Sequence, residues 1–329
     1  ASNNTAVGYA ALTANTTGTN NVAVGKDALD SNTTGDNNTA VGVDALQANT
    51  TADDSTAVGH GALAVSTGAS NTAVGKYAGV AITTGTYNNL IGGLAGDALT
   101  DADYNVAIGG AALTADTLGS RSVAIGHAAL YTQNFTTATD AYNVAVGHNA
   151  GLAVTTGTNN VLIGGLAGDA ITDADGNVAV GSLALSTNTV GSASVAVGYA
   201  ALSTQNPSTA TQMYNVAVGQ NAGAAVTTGT RDTLIGGLAG DALTTGSFNV
   251  AVGYTSLGAT TTGALNVALG DAALNLNTTG STNTALGQAA LSSNTTASNN
   301  TAVGYAALTA NTTGTANVAV GSQSGDALT

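Results

Sequence analysis

The sequence predicts an all-β chain wound as a parallel β-solenoid of about nineteen short turns. A five-residue phrase, clearest at residues 122–126 (SVAIG) and 143–147 (NVAVG), ends in glycine nineteen times. The copies lie 17 residues apart, except for one gap of 16 and two of 21. Sixteen of the nineteen copies place alanine between two larger apolar or β-branched residues, as strands do, and Asn, Thr and Gly follow, as in turns. Such a fixed period is typical of stacked solenoid turns.

The glycine of each phrase is called position 0, and the other residues of a turn are counted from it. These glycines are residues 8, 25, 42, 59, 75, 92, 109, 126, 147, 164, 181, 198, 219, 236, 253, 270, 287, 304 and 321.

Composition limits the classes of function. The chain has 329 residues, of which 45 are Gly, 4% are aromatic and 7% are charged, with no Cys or Trp. Its 18 acidic residues stand against 4 basic ones, for a net charge of −14. Without a basic patch we expect no nucleic-acid binding, and no apolar run is long enough to insert into a membrane. The absence of cysteine is consistent with an extracellular protein built without disulfides.

We expect one continuous array over residues 1–329. Residues 297–315 repeat residues 1–19 letter for letter, so we interpret the chain as a window of a longer fibre. A 72-residue super-repeat recurs at about 75–146, 147–218 and 219–290. The two 21-residue turns carry matching segments at 131–142 and 203–214, which we expect to be loops. Two interpretations stay open for them, a binding face or drift after duplication.

The alternation of side chains along each strand leads to a prediction about self-association. Position −1 is always Val, Ile or Leu, and position −3 is Val or Thr except at Asn89, so we expect these to face the interior. Position −2 is Ala or Leu and never polar, which predicts that the opposite face is covered too, by another subunit. The alternative is a flattened coil whose walls both pack through alanine. The predicted oligomer interface comprises Ala23, Leu90, Ala107, Leu162, Ala179 and Leu234.

Two further columns concern the core. Position −4 is Asn in fifteen turns, Ser in three and Asp in one, which predicts a ladder of stacked amides. Position +4 is Leu in twelve turns and Gly in seven. In the seven glycine turns we expect nearby apolar residues to fill the core, such as Leu94, Leu166 and Leu238.

Residues 122–130 (SVAIGHAAL) resemble the head repeat of YadA-like trimeric autotransporter adhesins. Residues 4–19 (NTAVGYAALTANTTGT) resemble bacteriophage tail-fibre repeats. The resemblance extends over essentially the whole chain. It implies a left-handed β-roll, three copies packed about a common axis, and a role in adhesion to host surfaces or receptors. The period is longer than the family's and Asn replaces the leading Ser in most turns, so no ligand preference is carried over.

No set of residues points to catalysis, and we expect that the chain is not an enzyme. His127 and His148 lie on successive turns, but no other turn repeats the pair, so we expect no metal site there. The segment GGLAGDAL at 92–99 approximates a calcium-binding nonapeptide, and residues 92–103 recur almost unchanged at 164–175. Surface-loop aspartate is the better interpretation, and calcium is the alternative. The carboxylates concerned are Asp97, Asp101, Asp103, Asp169, Asp173 and Asp175.

Two columns are candidate binding surfaces. Position −5, the corner before each strand, predicts a stripe of stacked aromatic and arginine side chains able to contact sugars or an apolar surface. The alternative is that these residues only protect the corner. The stripe comprises Tyr87, Tyr104, Arg121, Tyr142, Tyr214, Arg231 and Phe248. The second candidate is the variable column at position +1, which includes Tyr9, Lys26, His60, Lys76, His127, His148, Tyr199, Tyr254 and Tyr305.

Together these features predict an extracellular fibrous protein of the adhesin or tail-fibre type. We expect a rigid shaft or head on a cell-surface appendage or a virion, which attaches to a surface glycan or a cell-surface receptor. We expect the chain to pair with itself as a homotrimer and to need no cofactor. The alternative is a purely structural repeat protein that forms a long extracellular filament without a specific ligand.

Overall fold

The computed structural model describes residues 1–329 and confirms an all-β parallel β-solenoid of about nineteen turns, with no helix. There is accordingly no helix that could cross a membrane. The turns divide into two compact units, Ala1–Asn160 and Val161–Thr329. Nineteen three-residue strands coincide with positions −3 to −1 of the repeat. Of the four two-residue strands, two lie in the 21-residue turns and two in the turns immediately before them.

The first unit contains eleven strands. They are β1 (Thr5–Val7), β2 (Val22–Val24), β3 (Thr39–Val41), β4 (Thr56–Val58), β5 (Thr72–Val74), β6 (Asn89–Ile91), β7 (Val106–Ile108), β8 (Gly119–Ser120), β9 (Val123–Ile125), β10 (Thr139–Asp140) and β11 (Val144–Val146).

The second unit contains twelve strands. They are β12 (Val161–Ile163), β13 (Val178–Val180), β14 (Gly191–Ser192), β15 (Val195–Val197), β16 (Thr211–Gln212), β17 (Val216–Val218), β18 (Thr233–Ile235), β19 (Val250–Val252), β20 (Val267–Leu269), β21 (Thr284–Leu286), β22 (Thr301–Val303) and β23 (Val318–Val320).

The strands stack in parallel with equivalent repeat positions paired. In an ordinary turn Val22 pairs with Thr39, and across a 21-residue turn Val123 still pairs with Val144. Equivalent side chains therefore form columns along each unit. The four extra residues of a long turn do not shift the strand register. Each long turn contains one additional two-residue strand, which pairs with a strand of the turn before it: β10 with β8, and β16 with β14.

The interior face of the strands is the opposite of the one predicted. In every three-residue strand except β1, the residue at position −2 is buried, and the residues at −1 and −3 are half-buried or exposed. Ile91 at position −1 is 42% exposed, whereas Leu90 beside it is fully buried within its own chain. The small alanine points inward because each turn encloses little volume, and the β-branched residues form the outer wall.

This geometry overturns the predicted oligomer interface. All of its residues have 0% exposure inside the isolated chain, so no second copy can contact them: Ala23, Leu90, Ala107, Leu162, Ala179 and Leu234. The face available to another copy is instead the one formed by positions −1 and −3, which we call the outer face.

Two kinds of turn fill the core differently. Where position +4 is Leu, as at Leu29, position +7 is polar and buried, as at Asn32. Where position +4 is Gly, as at Gly79, position +7 is apolar, and Ile82 fills the core there. A Cβ on Gly79 would lie 2.7 Å from Cδ1 of Leu90.

The predicted filling by Leu94, Leu166 and Leu238 is therefore wrong. Leu94 is 44% exposed and Leu166 and Leu238 are half-buried, because all three lie at position +2. The space beside the glycines is filled from positions −2 and +7.

The predicted amide ladder at position −4 is confirmed. The backbone N–H of Asn38 donates to Oδ1 of Asn21 on the turn before (2.9 Å). The side-chain nitrogen of Asn38 donates to the carbonyl of Ala52 (2.8 Å). These asparagines are completely buried, and each satisfies backbone groups that would otherwise be orphaned.

The 21-residue turns are packed structures rather than loops that offer unusual residues to a ligand. Phe135, Pro207 and Met213, the rare residue types of these segments, are all buried. In the first of the two turns, the Gln133 amide nitrogen donates to Asp116 Oδ2 (2.6 Å) and Ser122 Oγ (3.0 Å), and its oxygen accepts from Asn143 (2.9 Å). Ser122 lies at position −4, so the glutamine supplies the amide that the ladder lacks there.

Replacing Gln133 by alanine is expected to destabilise the first unit by about 2–4 kcal/mol, since it leaves buried polar groups on three neighbours without their partner. Chemical denaturation of the full chain measures this. Thr136→Ala is the matched control, because Thr136 is an exposed residue of the same segment and should change stability by less than about 0.5 kcal/mol. Equal stability of Gln133→Ala and the control would show that the network contributes nothing.

Candidate surface-binding site

The stripe at position −5 is present in the first unit as a stack. The rings of Tyr87 and Tyr104 are parallel, at an interplanar angle of 2° and a centroid distance of 5.2 Å. The Arg121 guanidinium lies over the Tyr104 ring, 4.9 Å from its centroid, and 6.0 Å from that of Tyr142. The backbone at Tyr87, Tyr104, Arg121 and Tyr142 has φ between 49° and 62°, so each side chain projects from a left-handed corner.

Asp140 contacts two members of this stack, Arg121 and Tyr142. The Arg121 Nε lies 2.9 Å from Oδ1 of Asp140, and the hydroxyl of Tyr142 donates to Oδ2 of Asp140 (3.3 Å). The hydrogen bond and ion pair with Asp140 raise the pKa of Arg121. The three tyrosines stay about half exposed. The stripe thus presents aromatic rings, phenol hydroxyls and a guanidinium that is paired with Asp140 along one corner of the coil.

The second unit repeats the stripe only in part. The Arg231 guanidinium lies 5.1 Å from the centroid of the Phe248 ring, and Tyr214 precedes it on the turn before. Tyr214 and Phe248 are about half exposed. No carboxylate pairs with Arg231 as Asp140 pairs with Arg121.

The variable column at position +1 is exposed but not one continuous cluster. The rings of His127 and His148 stack at 5.5 Å, and His60 meets the edge of Tyr77 at 5.0 Å. Lys26 pairs with its neighbour Asp27 at 2.5 Å. The remaining members, among them Tyr9, Lys76, Tyr199, Tyr254 and Tyr305, make no ring contact with one another.

The aspartates of the calcium-like segment are separated and bonded to threonines. Asp97 accepts from the hydroxyl of Thr114, and Asp101 accepts from that of Thr84 (2.5 Å). Asp103 accepts from both the N–H (2.7 Å) and the hydroxyl (2.9 Å) of Thr86. These bonds join adjacent turns. No group of three or more His, Asp, Glu or Cys side chains is placed to hold a metal ion.

Asp232 is the one acidic residue in the asparagine ladder at position −4. Its Oδ1 accepts from the N–H of Asn249 (2.8 Å) and from its side-chain nitrogen (3.1 Å), but its Oδ2 is buried without a hydrogen-bond partner. Burial raises the pKa of the Asp232 carboxyl to about 7. The sequence signal was visible, since this is the one acid among nineteen residues at position −4.

The outer face, which the sequence predicted to be the interior, is half-buried or exposed along the chain. Its two columns are apolar or threonine in every turn except at Asn89, and they contain no charged residue. Its most exposed members away from the end turns include Val41, Ile91, Ile163, Val218, Ile235 and Leu269.

Comparison with known proteins gives no family: no protein-family model matches the chain, and no curated protein matches it.

Proposed function

We propose that the chain is a repeat segment of a self-associating extracellular fibre of the adhesin or tail-fibre type, which works in attachment and not in catalysis. The observation that carries the proposal is the outer face, where apolar and β-branched side chains of parallel strands are half-buried or exposed in turn after turn. Contiguous exposed apolar surface marks interaction sites.

A second copy of the chain is the proposed occupant of the outer face. With a net charge of −14, two copies repel each other unless they meet where charge is absent. The outer face is that place, since no Asp, Lys or Arg occurs in its two columns. The resemblance to YadA-like heads supports three copies about a common axis, each a left-handed roll.

Ile235→Lys is expected to weaken self-association by at least about 100-fold, because a lysine buried between copies has no partner. The side chain points outward in the single chain, so the solenoid itself should still fold. The measurement is molar mass in solution by light scattering, combined with sedimentation.

Thr279→Lys is the control for this test, since it adds the same charge at an exposed position away from the outer face. The Thr279→Lys variant should form an assembly of the same molar mass as the wild type. A wild-type chain that is monomeric at all concentrations, or an Ile235→Lys variant that assembles as the wild type does, would contradict the proposed interface.

Attachment is tested separately by retention of the purified protein on glycan-coated and cell surfaces. The half-exposed stripe of tyrosines and arginine supports this part of the proposal, because aromatic side chains and arginine are enriched at binding surfaces. Retention that falls in Tyr104→Ala supports attachment through the stripe. Assembly without retention on any surface would favour the purely structural filament.

A further inference from the structure

The aromatic stack of the first unit ends at Tyr87 with one ring face uncovered. Tyr104 covers one face of the Tyr87 ring, and no aromatic ring or cationic group contacts the other. The next residue of the same column is Ser70, and the one after it is Asp54. The column is continuous there, since the backbone N–H of Ser70 donates to Asp53 (3.0 Å) and that of Tyr87 to Ala69 (3.5 Å).

This arrangement leaves a notch one residue deep, with a ring on one side and a carboxylate on the other. Parallel turns stack about 4.8 Å apart, so Tyr87 and Asp54 are separated by about 9.6 Å along the column. Because the Tyr87 and Tyr104 rings are parallel and one turn apart, the open ring face points along the column towards Asp54. Oδ1 of Asp54 accepts from Asn37 (3.1 Å), while its Oδ2 has no partner in the chain.

The same column shows that a guanidinium fits one turn away from a tyrosine ring. Arg121 lies between Tyr104 and Tyr142, and its guanidinium pairs with Asp140 beside the column. A guanidinium is planar, stacks on aromatic rings and pairs with carboxylates, so contact with one ring and one carboxylate is available at the notch.

The charge around the notch favours a cation. The corner segments of the five turns around the notch, at positions −8 to −5, carry no Lys or Arg and contain Asp36, Asp53, Asp54, Asp101 and Asp103. Lys76 lies on the other side of its strand, at position +1. The second unit provides a natural contrast. Tyr214 follows Ala193 in its column, but the residue before Ala193 is Gly176, which has no carboxylate.

We propose that the notch formed by Tyr87, Ser70 and Asp54 binds the guanidinium of an arginine side chain on a partner protein. The site deepens the proposed attachment function and rests on it. A single notch holds one side chain weakly, and the assembled fibre presents several copies at once, which raises the overall affinity.

The test uses the full chain and short Gly-Ser peptides that carry a single arginine, lysine or citrulline. Ligand-observed NMR measures binding and detects the ring-current shift of the arginine methylene protons. Only the arginine peptide should show both signals. Equal binding of the citrulline or the lysine peptide would overturn the guanidinium assignment.

Ser70→Arg is the decisive variant, because the chain's own guanidinium should fill the notch while Tyr87 and Asp54 stay in place. Arginine is tolerated there: Ser70 has φ 60°, and Arg121 and Arg231 adopt φ 62° and 60° in the same column. We expect binding to fall about 10-fold or more. Ala193→Arg adds the same charge at the equivalent position of the second unit, where φ is also 60°, and should bind like the wild type. A Ser70→Arg variant that binds as well as the wild type would overturn the proposal.

Asp54→Asn should weaken binding more than Asp271→Asn, which removes an exposed charge in the other unit. If both substitutions weakened binding equally, only the net charge of the chain would matter, and the proposed notch would be wrong. Light scattering of the wild type and each variant reports self-association independently. A wild-type chain that assembles but does not bind the arginine peptide would contradict the notch and not the fibre.

Discussion

Replacing Gly92 by alanine is expected to destabilise the first unit by at least about 4 kcal/mol, beyond the range of ordinary point mutations. Gly92 has φ +138°, a backbone conformation that is essentially restricted to glycine. A Cβ there would lie 2.4 Å from the carbonyl oxygen of Gly109 on the next turn. The neighbour is backbone and is itself held by the stack, so it cannot move aside.

Gly93→Ala is the matched control, one residue further along the chain. A Cβ on Gly93 would have no heavy atom within 4 Å, so the variant should stay within about 0.5 kcal/mol of the wild type. Denaturant titration and thermal melting of both variants measure the difference. If Gly92→Ala melted like Gly93→Ala, close stacking of the glycine column would not limit the stability of the solenoid.

The glycine column also explains which parts of the fold were predictable. The period, the strand and the Asn ladder follow from residues that recur in almost every turn, because each must satisfy the same backbone contact with its neighbour. The general rule that larger apolar residues lie inside failed at Val and Ile of the strand. A turn of this size holds alanine at position −2 where position +4 is leucine, and leucine fits there only beside glycine.

One feature of the sequence does indicate that position −2 lies in the interior. Leucine occurs at position −2 in three turns, and in each case position +4 is glycine both in that turn and in the one before. Leu90 shows the reason, since its two methyl groups lie within 2.9 Å of where Cβ atoms on Gly79 and Gly96 would be. Covariation of size between two columns means that they share one space, which places position −2 inside.

The irregular turns carried a second signal. Serine replaces Asn at position −4 at Ser55, Ser122 and Ser194, which are the ladder positions immediately before the 16-residue gap and the two 21-residue gaps. In the long turns Gln133 and Gln205 hydrogen-bond to the serine of the ladder. The notch at Ser70 had no comparable signal, because it depends on which face of one tyrosine ring stays uncovered.

Asp232→Asn is expected to stabilise the second unit by up to about 4 kcal/mol at pH 8 and to change stability little at pH 4. In the ladder the side-chain nitrogens of Asn215 and Asn249 donate to the carbonyls of Gly229 (2.8 Å) and Gly263 (3.1 Å), fourteen residues further on. By the same spacing, Oδ2 of Asp232 takes the place of a nitrogen that would donate to Gly246. A carboxylate oxygen cannot donate, whereas a protonated carboxyl can.

The sign follows from the pKa of Asp232, which burial raises from 3.8 in the unfolded chain to about 7 in the folded one. The folded state therefore binds the proton more tightly, and stability is full below pH 4 and is lost as the pH rises to about 7. A difference of about three units corresponds to about 4 kcal/mol. Denaturation of the wild type and Asp232→Asn at several pH values between 4 and 8 measures the loss.

Two further variants separate this effect from general charge repulsion. Asp271→Asn removes an exposed charge of the same unit and should shift stability by a small amount that does not grow steeply between pH 4 and 7. Asn283→Asp places a second carboxyl in the ladder, between Asn266 and Asn300, and should create a second loss of stability over the same pH range. A buried carboxylate oxygen without a hydrogen-bond donor destabilises the folded chain until it binds a proton. If the difference in unfolding free energy between Asp232→Asn and the wild type were constant with pH, the Asp232 carboxyl would therefore not be the group that titrates.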